Sequence, residues 1–305
     1  MTTNIESTNW SGAVMTAGSN ESFGNVSAQW VVPTVTQVPI NGVTTSDIAE
    51  WVGIDGYNSD DVCQAGVMEV VSTLPNGQIS VTCEAFDEWY PADANIISAS
   101  TFKVNPGDTV TVSVETSGAG ATSATFIFDD ETTGKIYQTS LTAPSGTRLQ
   151  GNSAEFVVET PEWISSTGQV SQPLLSDFLN SPVVFNDASA TYSNGSAASL
   201  SSATTIGMET ADVPGTRGYV QEANGSVQPK SDSVTVTEVD YWPSSSSGSP
   251  PHNGYSGFNQ AGALQLAQAM ASFGGGQSSP DSLVSHQFDQ QSWHSFLSTN
   301  SHHHG

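Results

Sequence analysis

The sequence predicts an all-β fold, an antiparallel sandwich or barrel with a short helical C-terminal extension. Three observations carry this reading. From Asn9 to Trp242, β-branched and aromatic residues alternate with polar ones in short runs. Clusters of Gly, Asn, Pro and Ser punctuate the runs. No helical period interrupts them, so the crossover helices that parallel strands need are missing.

The elements follow in order. Asn9–Ala13 opens the domain. Gly24–Pro33 alternates through Val26, Ala28, Trp30 and Val32. Val62–Val71 and Gln78–Tyr90 read as a hairpin turning at Pro75-Asn76-Gly77, a strong turn signal. That register sets Gln64 beside Glu88. It leaves Cys63 and Cys83 several rungs apart, beyond the roughly 7 Å a disulfide spans, so two free thiols are expected. A different register would permit a bridge. Asn105-Pro106-Gly107-Asp108 turns the chain into Thr109–Thr116, which alternates Val110, Val112 and Val114. Ala124–Asp129, Ala154–Glu159, Val183–Phe185, Ala188–Tyr192 and Ser233–Tyr241 continue the pattern.

The domain plan is then residues 1–8 as leader residues, 9–242 as the sandwich, 243–259 as a Ser/Pro/Gly-rich linker and 260–305 as an extension. Gln260–Phe273 is the one expected helix, ended by Gly274-Gly275-Gly276. Leu283–Leu297 is a second short apolar segment. The terminal His302-His303-His304 reads as a disordered end rather than a metal site, because no further ligand sits at suitable spacing.

The 305 residues include 30 acidic and only five basic ones, for a formal charge of -25 at pH 7. Nucleic acid and anionic membranes attract clustered Lys and Arg, so neither is an expected partner. At neutral pH the carboxylates repel one another; below about pH 4 most of that charge disappears. Five Lys and Arg with six His then leave little positive self-repulsion. Such a composition suits a protein folded in acid. A halophilic or merely soluble acidic protein is the alternative, against which stands the low charged fraction of 11%. No apolar run reaches the roughly 20 residues of a membrane span, and Met1-Thr2-Thr3-Asn4 does not open a signal peptide.

Several catalytic signatures are missing. There is no Gly-x-Ser-x-Gly elbow, no His-Glu-x-x-His helix and no Asp-Thr-Gly or Asp-Ser-Gly. All six histidines lie from His252 onward, outside the β region. An acid–base group in the sandwich must therefore be a carboxyl. Strand parity sorts the candidates. Gln64, Gly66 and Met68 share one face, as do Glu84, Phe86, Glu88 and Tyr90, and as do Glu155, Val157 and Glu159. Cys63 and Glu69 point to the opposite side. The polar side is expected to be concave and solvent-facing, fit to hold an extended peptide.

Seven segments in order carry a resemblance: Asn9-Trp10-Ser11-Gly12-Ala13, Val26–Pro33, Trp51-Val52-Gly53-Ile54-Asp55-Gly56, Gln64-Ala65-Gly66, Glu88-Trp89-Tyr90-Pro91, Ala154-Glu155-Phe156 and Ser181–Phe185. Together, over roughly residues 9–242, they resemble the eqolisin family of glutamic peptidases. The resemblance implies an all-β antiparallel β-sandwich of two curved, lectin-like sheets, and on it an acid-acting endopeptidase with a Gln/Glu dyad, Gln64 and Glu155. It implies supporting or substrate-binding roles for Trp10, Trp51, Asp55, Glu88 and Tyr90. Protein or peptide substrates are expected, with no cofactor and no metal, in a monomer secreted into acidic surroundings. The region Gly207–Lys230 and the tail 243–305 depart from the family pattern. The competing reading is a non-catalytic carbohydrate- or peptide-binding sandwich, since Trp-rich sandwiches often bind sugars. A weaker third is a surface adhesin.

Overall fold

A computed structural model describes residues 4–164, 170–171, 173–210 and 218–239, with only the backbone at 163–164 and 170–171. The expected helix Gln260–Phe273 and the linker lie outside these residues. The strands are β1 (Asn4–Ser7), β2 (Trp10–Thr16), β3 (Phe23–Val31), β4 (Thr45–Asp55), β5 (Val62–Thr73), β6 (Ile79–Tyr90), β7 (Asn95–Ile97), β8 (Thr109–Thr116) and β9 (Ser123–Asp130). They continue with β10 (Lys135–Thr142), β11 (Ser153–Glu159), β12 (Trp163–Ile164), β13 (Val170–Ser171), β14 (Leu174–Leu175), β15 (Val183–Tyr192), β16 (Thr204–Thr210), β17 (Val220–Gln228) and β18 (Ser233–Glu238). A 3-10 turn at Leu200–Ser202, capped by the Ser199 hydroxyl, is the only helical element among the described residues.

One hydrogen-bonded path runs β10-β9-β8-β3-β15-β18-β17-β16-β2-β11-β4-β5-β6-β7. It folds back on itself, so that β3 and β8 lie over β4, β5 and β11. The corner is β15. Its first residues, Val183–Phe185, pair with β18, and its later residues pair with β3. Between them the register shifts and Asp187 adopts a left-handed backbone (φ 49°), the kind of bulge that bends a strand from one layer into the next. The pairing is antiparallel except for β1 on β16 and β14 on β4. Asn4–Ser7, expected to precede the domain, thus form a strand of it.

The space between the layers is filled by inward alternate residues. Trp30, Phe126 and Phe128 come from one side, and Ile54, Cys63, Val67, Trp89 and Phe156 from the other. Phe185, at the corner, meets both Trp30 (ring centroids 5.3 Å) and Phe156 (6.3 Å). Each such buried aromatic stabilises the fold by about 1.5–3 kcal/mol.

The same interior holds Glu50 and Glu69, fully buried and diagonal neighbours across the β4–β5 ladder, where Glu69 pairs with Ile48 and Glu50 with Val67. Burial raises both carboxyls above their ordinary value; Glu50 raises Glu69 further, while the hydrogen bond with Glu69 opposes the rise at Glu50. Cys83 lies 3.9 Å from Glu69. Both thiols are free, as the hairpin register requires, since Cys63 pairs with Trp89 and Cys83 with Glu69.

Candidate active site

The hairpin turn fixes the first part of the site. Leu74 and Gln78 close it (N–H to O, 2.8 Å), Asn76 accepts from the Gln78 N–H at 3.0 Å, and Gly77 takes φ 80°, which glycine adopts without strain. With the turn at this position, Gln64 falls directly opposite Glu88. The neighbouring ladders extend the row: Gln64 is paired with Gly53, Gly53 with Glu155, and Glu155 with Val14. Gln64 and Glu155 therefore share one face, two strands apart, or about 10 Å between backbones at ordinary strand spacing.

Gly53 separates them with no side chain. A Cβ there would lie 2.9 Å from the Trp51 ring and 3.2 Å from the Gln64 Cβ. The space over Gly53, between the dyad residues, is therefore taken by the Trp51 indole, which only glycine admits. Trp51 is held in place at several points. Its Nε1 donates to Glu159 Oε2 at 2.7 Å, and its ring meets Trp10 edge to face at 4.9 Å. Asn9 Nδ2 donates to the other Glu159 oxygen at 3.2 Å. Glu159 lies four residues from Glu155 on the same face of β11, and its strand neighbour is Trp10.

Burial dominates the electrostatics. Glu155 is wholly inaccessible, and neither carboxyl oxygen has a hydrogen-bond partner within the protein. Burial pushes it well above the usual carboxylate range; the nearby Ser153 side chain and Tyr57 backbone temper this, and Asp55 adds to it. Glu88 rises to about 8 through burial, against the hydrogen bond from Gln64. Glu159 rises to about 7 through burial, against the Trp51 donor. In acid Glu88 and Glu159 are neutral, which is how a site so short of cations holds so many acids.

The face that carries the dyad, expected to be concave and solvent-facing, is not open to solvent. Trp10, Val14, Trp51, Val62, Met68, Phe86, Tyr90 and Val157 form a second apolar cluster upon it, and Gln64 retains 4% exposure. Apolar side chains of the same parity as the dyad pack over the polar row. Tyr90 belongs to this cluster. Asp55 has a different place. It sits at the end of β4 in a left-handed backbone (φ 70°) and accepts the N–H groups of Gln150 (2.6 Å), Gly151 (3.0 Å) and Asn152 (2.8 Å). It anchors the loop entering β11, and so sets where Glu155 begins. Burial still lifts it to about 6, opposed by those three donors.

The parity assignments hold for Gln64, Glu155, Cys63 and Glu69. Glu159 and Gly53 are the residues that sequence reasoning left without a role. Parity with Glu155 and the position of Gly53 inside the Trp51–Gly56 run were the signals available. Gly207–Lys230, read as an insertion, contributes β17 and part of β16, and β16 lies beside β2 in the main sheet. Among the described residues, no three His, Cys, Asp or Glu side chains are grouped to hold a metal.

Residues 8–237 match the model of the Peptidase A4 family. Scytalidopepsin B from Scytalidium lignicola is 31% identical over 196 residues, 64% of this chain and 67% of the relative. Aspergillopepsin-2 from Aspergillus niger is 29% identical over 264 residues, 78% of this chain and 80% of the relative. A crystal structure of scytalido-glutamic peptidase with a transition state analog inhibitor superposes with a TM-score of 0.60 and 26% identity, over 76% of this chain and 98% of that one. Aspergilloglutamic peptidase from Aspergillus niger gives a TM-score of 0.50 and 30% identity, over 64% and 99%.

Proposed function

Because the chain belongs to the Peptidase A4 family and is a peptide-bond hydrolase, we propose that it is an acid-acting endopeptidase whose dyad is Gln64 and Glu155. One observation carries the assignment: the register row Glu155–Gly53–Gln64, two hydrogen-bonding side chains flanking a residue that has none.

Glu155 in its ionised form takes a proton from a water as the water attacks the scissile carbonyl. Gln64 Nε2 donates to the oxyanion that forms. The proton on Glu155 then passes to the leaving amine as the C–N bond breaks, which restores the carboxylate with no covalent intermediate. Burial makes Glu155 a stronger base, once ionised, than a surface carboxyl, and a ready donor when protonated. Trp51 and Trp10 wall the row, Asp55 fixes the approach to β11, and Glu88 and Tyr90 complete the site around Gln64. Protein and peptide chains are the substrates.

The setting follows from the charge pattern. We take residues 9–242 as the catalytic domain of a monomer secreted into acidic surroundings, where the scarcity of Lys and Arg limits self-repulsion.

The test is hydrolysis of a denatured protein and of a quenched peptide near pH 4. Glu155→Gln is nearly isosteric but moves no proton, so kcat should fall by about 10²–10⁴. Gln64→Ala should lower it by about 10²–10³. Activity of Glu155→Gln within tenfold of the parent sinks the dyad.

A further inference from the structure

We propose that Glu88 is a positioning residue which, as a neutral acid, donates its proton in a hydrogen bond to the Gln64 carbonyl oxygen and so turns the Gln64 amide nitrogen toward the reacting carbonyl. This rests on the dyad reading above and adds a residue to it.

The argument begins with how the Gln64 amide is placed. Its nitrogen faces Glu88 Oε2 at 2.5 Å, while its oxygen is buried with no partner. That arrangement has two faults. A buried acceptor left unpaired costs about 1–3 kcal/mol. One N–H of the group an oxyanion needs, the NH2, is also taken by Glu88, which draws the nitrogen to that side. The two ends of a primary amide are near-equal in size, so a half-turn about the last side-chain bond exchanges them without moving another atom. After that turn the oxygen faces Glu88 and the NH2 points where the unpaired oxygen stood.

The turned form needs a proton on Glu88, and the surroundings supply the reason for one. Glu88 is nearly inaccessible, and burial holds it neutral to about pH 8. The charges bearing on it are all carboxyls: Glu159 from β11, Asp93 from the segment after β6, and Asp87 from its own strand. Glu155 lies in the same cross-strand row. A separation of 2.5 Å is also shorter than the roughly 2.7–3.2 Å of an N–H···O bond and falls within the range of O–H···O bonds. The pairing is fixed by the backbone, because Gln64 and Glu88 are direct partners across the β5–β6 ladder.

The test separates a neutral hydrogen-bonding side chain from a carboxylate at position 88. Glu88→Gln still offers an N–H to the Gln64 oxygen, whereas Glu88→Met has similar bulk and no donor. We expect Glu88→Gln to lose no more than about fivefold in kcat at pH 4. Glu88→Met should lose about 100-fold in kcat, with KM within about twofold, because the oxyanion donor is misdirected. The side-chain amide of Gln64, assigned by its loss in Gln64→Ala, gives a reading independent of turnover. Its 15N and 1H shifts should be similar in the parent and Glu88→Gln and should move in Glu88→Met. If Glu88→Gln falls as far as Glu88→Met, a carboxylate acceptor is what the site needs and the proposal is overturned. It is equally overturned if Glu88→Met keeps kcat within fivefold. Full activity of Glu155→Gln and Gln64→Ala would instead refute the dyad itself, so the two failures are distinguishable.

Discussion

Raising the pH from about 4.5 to 7 should remove most of the stability of this fold. The perturbation acts on buried carboxyls with no cation beside them. Glu88 and Glu159 ordinarily titrate at 4.5, and burial moves them to about 8 and about 7. Between the two values the unfolded chain ionises each group while the folded chain keeps it protonated. The folded state therefore binds more protons, and its stability declines as pH rises, by about 1.4 kcal/mol per unit for each group. Stability is full below about pH 4.5 and is lost progressively up to the folded-state values. For these two groups the loss at pH 7 is about 7 kcal/mol, on the scale of the ~5–15 kcal/mol that holds an ordinary domain. Glu50 and Glu69 shift in the same direction and steepen the decline. The assay is urea unfolding followed by tryptophan fluorescence at several pH values across this window. Glu69→Gln removes one titrating group yet can still donate to Glu50, so its slope should be shallower by about 1.4 kcal/mol per unit. A urea midpoint that is flat or rises from pH 4.5 to 7 would refute the reasoning.

Other consequences can be measured directly. Gly53→Ala sets a methyl 2.9 Å from the Trp51 ring, so kcat/KM should fall about 100-fold with a modest loss of thermal stability. Asp55→Asn tolerates the left-handed backbone but replaces one acceptor oxygen by an NH2 facing backbone N–H groups; urea unfolding near pH 4 should show a loss of about 2 kcal/mol. Trp51→Phe leaves Glu159 Oε2 without its indole donor, and should lower stability by about 1–3 kcal/mol. A thiol reagent should find both Cys63 and Cys83 slow to react in the folded protein, since burial raises both thiols. Without any reductant, two thiols should appear on denaturation.

Much of the fold could be read from alternation and turns, and the exceptions have physical causes. Thr109–Thr116 alternates because one side faces the interior, and β8 has the expected limits. The Pro75-Asn76-Gly77 turn sets the Gln64–Glu88 pairing rung for rung. β10 escaped notice because it is an outer strand with exposed or half-exposed side chains throughout, leaving no apolar stripe to detect. Most of β4 and β5 is buried on both faces and so shows no alternation. That same double burial is why the dyad face is closed; Met68 and Val70 on the Gln64 side of β5 were the visible sign. Glu50 and Glu69 gave no local signal. A carboxyl ordinarily marks an exposed position, and only the overall shortage of Lys and Arg hints that acids here go inside.

The order of strands imposes a schedule on the growing chain. β2, near the N-terminus, lies between β11 and β16, and β11 is in turn flanked by β2 and β4. Glu155 thus gains both neighbours only after some 150 residues have been made, and β2 gains its second partner about 50 residues later. The row Gln64–Gly53–Glu155 cannot form on a fragment that stops short of β11. Some 210 of the 305 residues must therefore be made before β2 is held on both sides, so the N-terminal strand waits for most of the sandwich to be synthesised.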